Sequence, residues 1–293
     1  MENKTNDRKS LLMFITAMLI FGTVGIFRKY IPFSSAFLAF SRGILGGLFL
    51  LVYMKLTGKT AADKLPLKQV LWLAATGAVM GINWILLFEA YNHTTVAVAT
   101  LCYYMQPTIV ILLSPFLFKE KLSVRKALCA AAAIAGMVLV SGVVDGGMQG
   151  DSFKGILLGL GAAVFYAGVI IMNKKVPGID AYQKTVIQLF SAGLAMIPYL
   201  LLTDGFPHTG FTLSSVLLLL AVGIIHTGIA YVLYFGSMDG LKAQSIAIFS
   251  YIDPVSALLF SALLLREPLS LMNVIGAIMI IGSALVSERM TER

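Results

Sequence analysis

Long apolar stretches separated by short polar turns dominate the chain. Charge-free runs cover residues 11–27, 69–88, 90–118, 127–144, 155–173, 185–203, 205–238 and 268–287, and residues 33–54 and 243–265 add stretches broken only by Arg42 and only by Asp253. A helix that crosses a hydrocarbon layer about 30 Å thick needs about 20 residues, each adding about 1.5 Å. Run 205–238 is too long for one crossing. Its opening residues, Gly205-Phe-Pro-His-Thr-Gly210, read as a turn, so its helix is expected to begin near Phe211. The pattern therefore predicts ten spans. None alternates with period two, which excludes a membrane barrel. A helix satisfies its own backbone hydrogen bonds in lipid, and the expected fold class is an all-α integral membrane protein. The first run follows Lys4, Arg8 and Lys9 like a signal peptide, but no small-x-small cleavage site follows it, so it is read as a retained helix. Gly43-x-x-x-Gly47, Gly77-x-x-x-Gly81 and Gly155-x-x-x-Gly159 are read as generic close-packing positions, within or between molecules; the oligomeric state is left open.

Composition narrows the class further. Of 293 residues, 58% are apolar and 12% charged, with a mean hydropathy of +0.89. That excludes a soluble globular enzyme, a disordered chain and a fibrous one. Cys102 and Cys129 both lie inside apolar runs and support no disulfide framework. The net charge of +8 reports topology and not a nucleic-acid partner. With the N-terminus in the cytoplasm, seventeen Lys and Arg fall inside and four outside (Arg28, Lys29, Lys154, Arg266), leaving Arg42 within the membrane.

The chain also repeats itself. Shifted by 147 positions, residues 71–123 match 218–270 without a gap, with 15 of 53 pairs identical. They include Gly81/Gly228, Phe88/Phe235, Tyr104/Tyr251, Pro107/Pro254, Ser114/Ser261 and Glu120/Glu267. Shifts of 145–146 extend the match weakly to Gly22/Ala167 and Gly47/Gly193. Each half holds five spans, and because five is odd the second half is expected to start on the opposite side. The loops agree. Lys119-Glu-Lys-Leu-Ser-Val-Arg-Lys126 carries four positive charges, whereas Arg266-Glu-Pro-Leu-Ser-Leu-Met-Asn273 carries one. An inverted repeat of this kind is the architecture of secondary transporters, with a midplane site where the repeats meet.

Ten spans as five plus five, Phe21-Gly22 in the first helix, Arg42 in the second, and the paired blocks Gln106-Pro107…Glu120-Lys-Leu-Ser123 and Asp253-Pro254…Glu267-Pro-Leu-Ser270 resemble the drug/metabolite transporter superfamily, EamA type. The resemblance covers residues 10–288, apart from Phe21 where many members carry Trp. It implies two EamA-like repeats, 1–147 and 148–293, in one membrane domain. It also implies ATP-independent transport of a small metabolite, often amino acid export, through a central cavity that opens alternately to each side.

Several intramembrane residues are candidates for that task. Arg42 is expected near mid-depth, where an isolated guanidinium costs about 2.5–3.5 kcal/mol on insertion scales. It is either an anchor for an anion or half of an ion pair with Glu89 or Asp253. Gln106 and Asp253 are repeat partners, each before a mid-helix proline. Pro107 and Pro254 leave the carbonyls of Tyr103 and Ser250 without helical donors and make kinks suited to gating. Asp253 is a candidate for substrate binding and proton coupling. His226 is either a second proton relay or a satisfied packing residue. Asn83, Trp84, Tyr104, Tyr231 and Tyr251, with Tyr103, sketch an amphiphilic pocket, against ordinary core packing for each alone. Glu89 and His93 read as interfacial. Glu120 and Glu267 read as turn residues, with Ser123 and Ser270 as caps of the following helices. No Cys/His cluster suits a metal, and no motif calls for a cofactor.

The expected function is a secondary transporter of a small polar metabolite, an amino acid moving outward through the cytoplasmic membrane, with both termini inside. Alternatives are a carrier of organic cations, drugs or nucleotide-like metabolites, an intramembrane enzyme, and a scaffold or receptor without transport. The expected partners are a small-molecule substrate and the lipid bilayer.

Overall fold

The computed structural model describes residues 2–59, 65–118, 123–141, 150–203, 205–238, 241, 246 and 249–291. Loop residues 119–122, with Glu120, lie outside these, as do Lys64, Lys242 and Arg293. The helices are α1 (Glu2–Tyr30), α2 (Ser35–Leu56), α3 (Leu67–His93), α4 (Val96–Tyr103), α5 (Gln106–Phe118), α6 (Val124–Val140), α7 (Gly150–Lys174), α8 (Ala181–Leu202), α9 (Leu213–Leu220), α10 (Ala230–Met238), α11 (Ile252–Leu264) and α12 (Leu271–Thr291). A π-helical stretch, Ala221–Ile229, joins α9 to α10 in one continuous rod. Among the described residues, seven helices are long and apolar enough to cross a membrane. The other expected spans appear as α6, α11 and α12, of 17, 13 and 21 residues.

Local chemistry sets the helix starts. Orphan amides at a helix N-terminus need an acceptor. Ser34, Thr95, Ser123 and Asp180 each take the amide three residues on, from Phe37, Val98, Lys126 and Gln183. Thr212 and Ser215 form a reciprocal capping box. Ser123 and Ser270 act as the expected caps; Ser270 accepts from Asn273 at 3.1 Å.

The expected kinks at Pro107 and Pro254 are full breaks. α4 ends at Tyr103, a turn passes through Tyr104 and Met105, and α5 restarts at Gln106. In the second half, the turn at Tyr251 precedes α11. Each proline sits in the first turn of the new helix, where its missing amide costs nothing.

Packing pairs recur when the halves are exchanged. α3 runs along α7 as α10 runs along α1, and α3 on α8 mirrors α2 on the π-helical stretch. α2 against α8 and α6 against α12 are each their own counterpart. Small residues make the close crossings, as GxxxG packing requires. A Cβ at Gly43 would stand 2.6 Å from the Leu189 carbonyl oxygen and 2.7 Å from the Gly193 amide; one at Gly81 would stand 2.8 Å from the Ala192 carbonyl. Gly159 packs on Cys102 and Gly155 on Thr94. These glycines therefore serve packing within the chain.

The exterior is apolar, and polar side chains are buried within a largely apolar core. Leu202 and Phe116 are 85% and 83% exposed, while Arg42, Asn83, Gln188, His226 and Thr227 are buried. The protein is a multi-pass membrane protein. Gly43→Ala is expected to lower stability by about 1–3 kcal/mol through overpacking against backbone. Gly161→Ala, whose Cβ would meet only Leu86 at 3.5 Å, should lose none. Thermal unfolding in detergent checks both.

Candidate functional site

Between the halves lies a cavity of about 720 Å³. One end reaches the α7–α8 turn and Ser287 near the end of α12; the other lies beneath Tyr91 and Thr100. Its walls are built from repeat partners. Trp84 faces it with Tyr231, Tyr104 with Tyr251, and Gln106 with Asp253. Arg42 lines it too, and so does its counterpart at a shift of 146, Gln188. The cavity thus carries Arg42 and Asp253, a basic and an acidic group from different halves, with Lys184 at its α7–α8 end.

Arg42 is 7% exposed. Its guanidinium carbon lies 4.4 Å from the centre of the Trp84 ring and 5.7 Å from that of Phe88. A ring face attracts a cation, more strongly when water is excluded. Arg42 Nε donates to Thr227 Oγ1 at 2.9 Å. Among the described residues no carboxylate lies within 4.0 Å of it, so neither expected ion pair, with Glu89 or with Asp253, is formed, and no protein acceptor meets its Nη atoms. Glu89 instead accepts from Ser35 at 2.7 Å and from Asn92 at 3.0 Å, and contacts His93 at 3.2 Å. His93 also contacts Asp151 at 2.6 Å, which ties α3 to the start of α7.

Across the cavity, Tyr104 donates its hydroxyl to Asp253 Oδ2 at 2.6 Å. The bond joins the two broken spans. Tyr103 packs edge-on to Tyr104 at 5.8 Å and against Tyr166 at 5.4 Å, and Phe21 meets Tyr231 at 5.6 Å. Gln106 is 9% exposed and its Oε1 has no hydrogen-bond donor. Pro107 lines the cavity, whereas Pro254 is buried behind the wall.

Two expected site residues stand elsewhere. Asn83 is fully buried and donates to the Ala162 carbonyl at 2.6 Å, tying α3 to α7. His226 lies behind the wall, between Thr23 Oγ1 at 2.9 Å and the Ala221 carbonyl at 3.1 Å. A carbonyl only accepts, so Nδ1 carries a proton there; the single hydroxyl proton of Thr23 is shared between Nε2 and the Ile20 carbonyl, 2.7 Å away. Both readings had left rotation about the helix axis unspecified.

Glu267 does more than shape a turn. It accepts the Val96 amide at the start of α4 at 2.8 Å and the Ser261 hydroxyl, and lies 3.7 Å from Lys29. Lys29 also donates to the Thr94 carbonyl at 3.1 Å. This cluster binds α1, the α3–α4 turn and the second half together beside the Thr100 end of the cavity. Tyr166, Gln188 and Thr227 went unnoticed in the sequence. The shift of 145 pairs Phe21 with Tyr166 and that of 146 pairs Arg42 with Gln188, which was the available signal. Among the described residues no group of His, Cys, Asp and Glu suits a metal ion.

The profile of the EamA-like transporter family matches residues 8–142 and again 153–288. The chain belongs to the EamA-like transporter family. Among its relatives is an uncharacterized transporter, YxxF of Bacillus subtilis (strain 168), 28% identical over 287 residues, or 96% of this chain and 90% of that protein. Protein PecM of Dickeya dadantii (strain 3937) is 26% identical over 223 residues, 74% of each chain. A solved crystal structure shares the fold with a TM-score of 0.66 at 21% identity, covering 97% of this chain and 98% of its own. EamA membership makes the protein a transporter with a small-molecule substrate and removes the intramembrane-enzyme reading. Within this EamA fold, Asn83→Ala is expected to cost about 1–3 kcal/mol, by losing the bond to Ala162, without changing substrate affinity. Thermal unfolding with and without substrate checks it.

Proposed function

We propose that the protein is a secondary transporter of a small zwitterionic metabolite, an amino acid exported across the cytoplasmic membrane by alternating access. One observation carries the reading. A buried guanidinium, with no acceptor on its Nη pair among the described residues, lines the same cavity as Asp253, and the two are not paired. A planar Nη pair matches a carboxylate in two parallel hydrogen bonds. An α-ammonium then meets Asp253, the unclaimed Gln106 Oε1 and the faces of Tyr104, Tyr231 and Tyr251, with Trp84 backing the anchor.

The remaining assignments follow from this. The five-helix halves lie head-to-tail, a reading supported by the exchange symmetry of the packing pairs and by the loop charges. Both termini are cytoplasmic by the distribution of Lys and Arg. The α7–α8 turn is then on the cytoplasmic side, and the cavity faces inward. The halves rock about the glycine crossings, flexing at Pro107 and Pro254. Asp253 carries the coupled proton; His226, held away from the cavity, serves packing.

The tyrosine-rich wall around a single acid favours a second reading, an organic cation without a carboxylate. A thermal-shift screen of the purified protein against amino acids, their amides and organic amines separates the two, because a bound compound stabilises in proportion to occupancy. Amino acids should stabilise and their amides should not; the reverse would establish the cation reading. Arg42→Gln should weaken binding of the amino acid by about 30- to 100-fold, the value of a charge-assisted hydrogen-bond pair, and leave amine binding unchanged. In proteoliposomes, Asp253→Asn should abolish uptake driven by a pH gradient, while exchange persists with weakened substrate affinity. Full gradient-driven uptake in that variant would remove Asp253 from the coupling role.

A further inference from the structure

In an α-turn a threonine hydroxyl reaches the carbonyl three or four residues back. The π-helical stretch Ala221–Ile229 widens that reach. Thr227 Oγ1 donates to the carbonyl of Val222, five residues back, at 2.9 Å. A hydroxyl has one proton to give and lone pairs to spare. With the proton placed on Val222, the hydroxyl is left as an acceptor, and Arg42 Nε donates into it at 2.9 Å. Thr227 itself is fully buried and does not line the cavity.

Two further observations connect this threonine to the arginine. Gly46, one turn along α2 from Arg42, has no side chain where Thr227 sits; a Cβ there would meet the Thr227 Cβ at 2.8 Å. The α2 backbone therefore comes close enough for the bond to Nε to form. The repeat supplies an internal comparison. The mirrored contact, α8 on α3, has Gln188 in place of Arg42 and Met80 in place of Thr227. Gln188 turns instead to Asn173, donating to its Oδ1 at 2.7 Å. Where the guanidinium is missing, so are the hydroxyl and the π-turn.

We infer that Thr227 is a positioning residue for substrate recognition: held by the π-turn, it fixes Arg42 through Nε against Trp84, so that the Nη pair alone faces the cavity. π-turns are rare and concentrate at functional sites, in keeping with this task. The inference rests on the reading of Arg42 as the anchor for a carboxylate.

The test uses the full-length protein with Trp72→Phe, which leaves Trp84 as the only tryptophan. Thr227→Val and Thr227→Ser are compared in two measurements. The first is Trp84 emission without ligand, which reports the cation over its ring. The second is affinity for L-leucine, with L-leucinamide as the probe lacking a carboxylate. Thr227→Val should shift the emission and weaken L-leucine about tenfold, towards the weak or absent binding that L-leucinamide shows to parent and variant alike, and Thr227→Ser should restore emission and L-leucine affinity. Unchanged emission and unchanged L-leucine affinity in Thr227→Val overturn the inference. So does equal loss in the valine and serine variants, which marks a packing role. If the parent protein binds neither probe, the amino-acid reading falls, and the emission comparison still decides whether Thr227 holds Arg42.

Discussion

A guanidinium midway across a membrane has no bulk water to solvate it, and the rest of the site depends on how that charge is accommodated. Arg42 is met by two ring faces, one hydroxyl and an open cavity. Each demands something of its neighbours. The ring faces require α3 to pass close to α2. The hydroxyl requires the wide turn at Ala221–Ile229 and a glycine at position 46. The cavity requires that no side chain fill the space between the halves. Intramembrane charge is tolerated where the bundle interior is wet or partnered, and here both conditions contribute.

The same logic explains the broken spans. Backbone that leaves the helical path inside a bilayer is stable only where it is buried in protein or lines a cavity. Both breaks, at Tyr104–Met105 and at Tyr251, occur on the cavity wall, and each is followed within two residues by a polar side chain, Gln106 or Asp253. The breaks deliver a polar pair, Gln106 and Asp253, to the cavity wall. The Tyr104–Asp253 bond then joins the two breaks across the seam between the halves.

Span number, helix class, the repeat and the cap residues were legible because each is a one-dimensional signal: run length, periodicity or spacing. Trp84, Tyr104, Tyr231 and Tyr251 line one cavity, as repeat partners in one register tend to share a wall. Asn83 and His226 were misplaced for a physical reason. A helix that is apolar all round carries no moment to orient it, so its sequence gives depth but not direction. Asn83, one residue from Trp84, points about 100° away from it and into α7. The π-turn was likewise invisible, since its residues, Ala221-Val-Gly-Ile-Ile-His-Thr-Gly-Ile229, show no breaker that a normal helix lacks. Proline marked the places of the breaks but not their extent, because a kink and a full interruption differ only in what surrounding groups can satisfy.

Glu267 sits at an aqueous rim and not in the apolar depth. Its partners there, the Val96 amide, the Ser261 hydroxyl and the Lys29 ammonium, are all groups that water can solvate once separated. A clasp of this kind trades protein contacts for hydration when it parts, so the net free energy of release stays small although several bonds are lost. Buried at the midplane, the same carboxylate would leave its partners bare and lock the halves together. On the proposed alternating-access reading, a clasp at this edge parts and re-forms at little net cost.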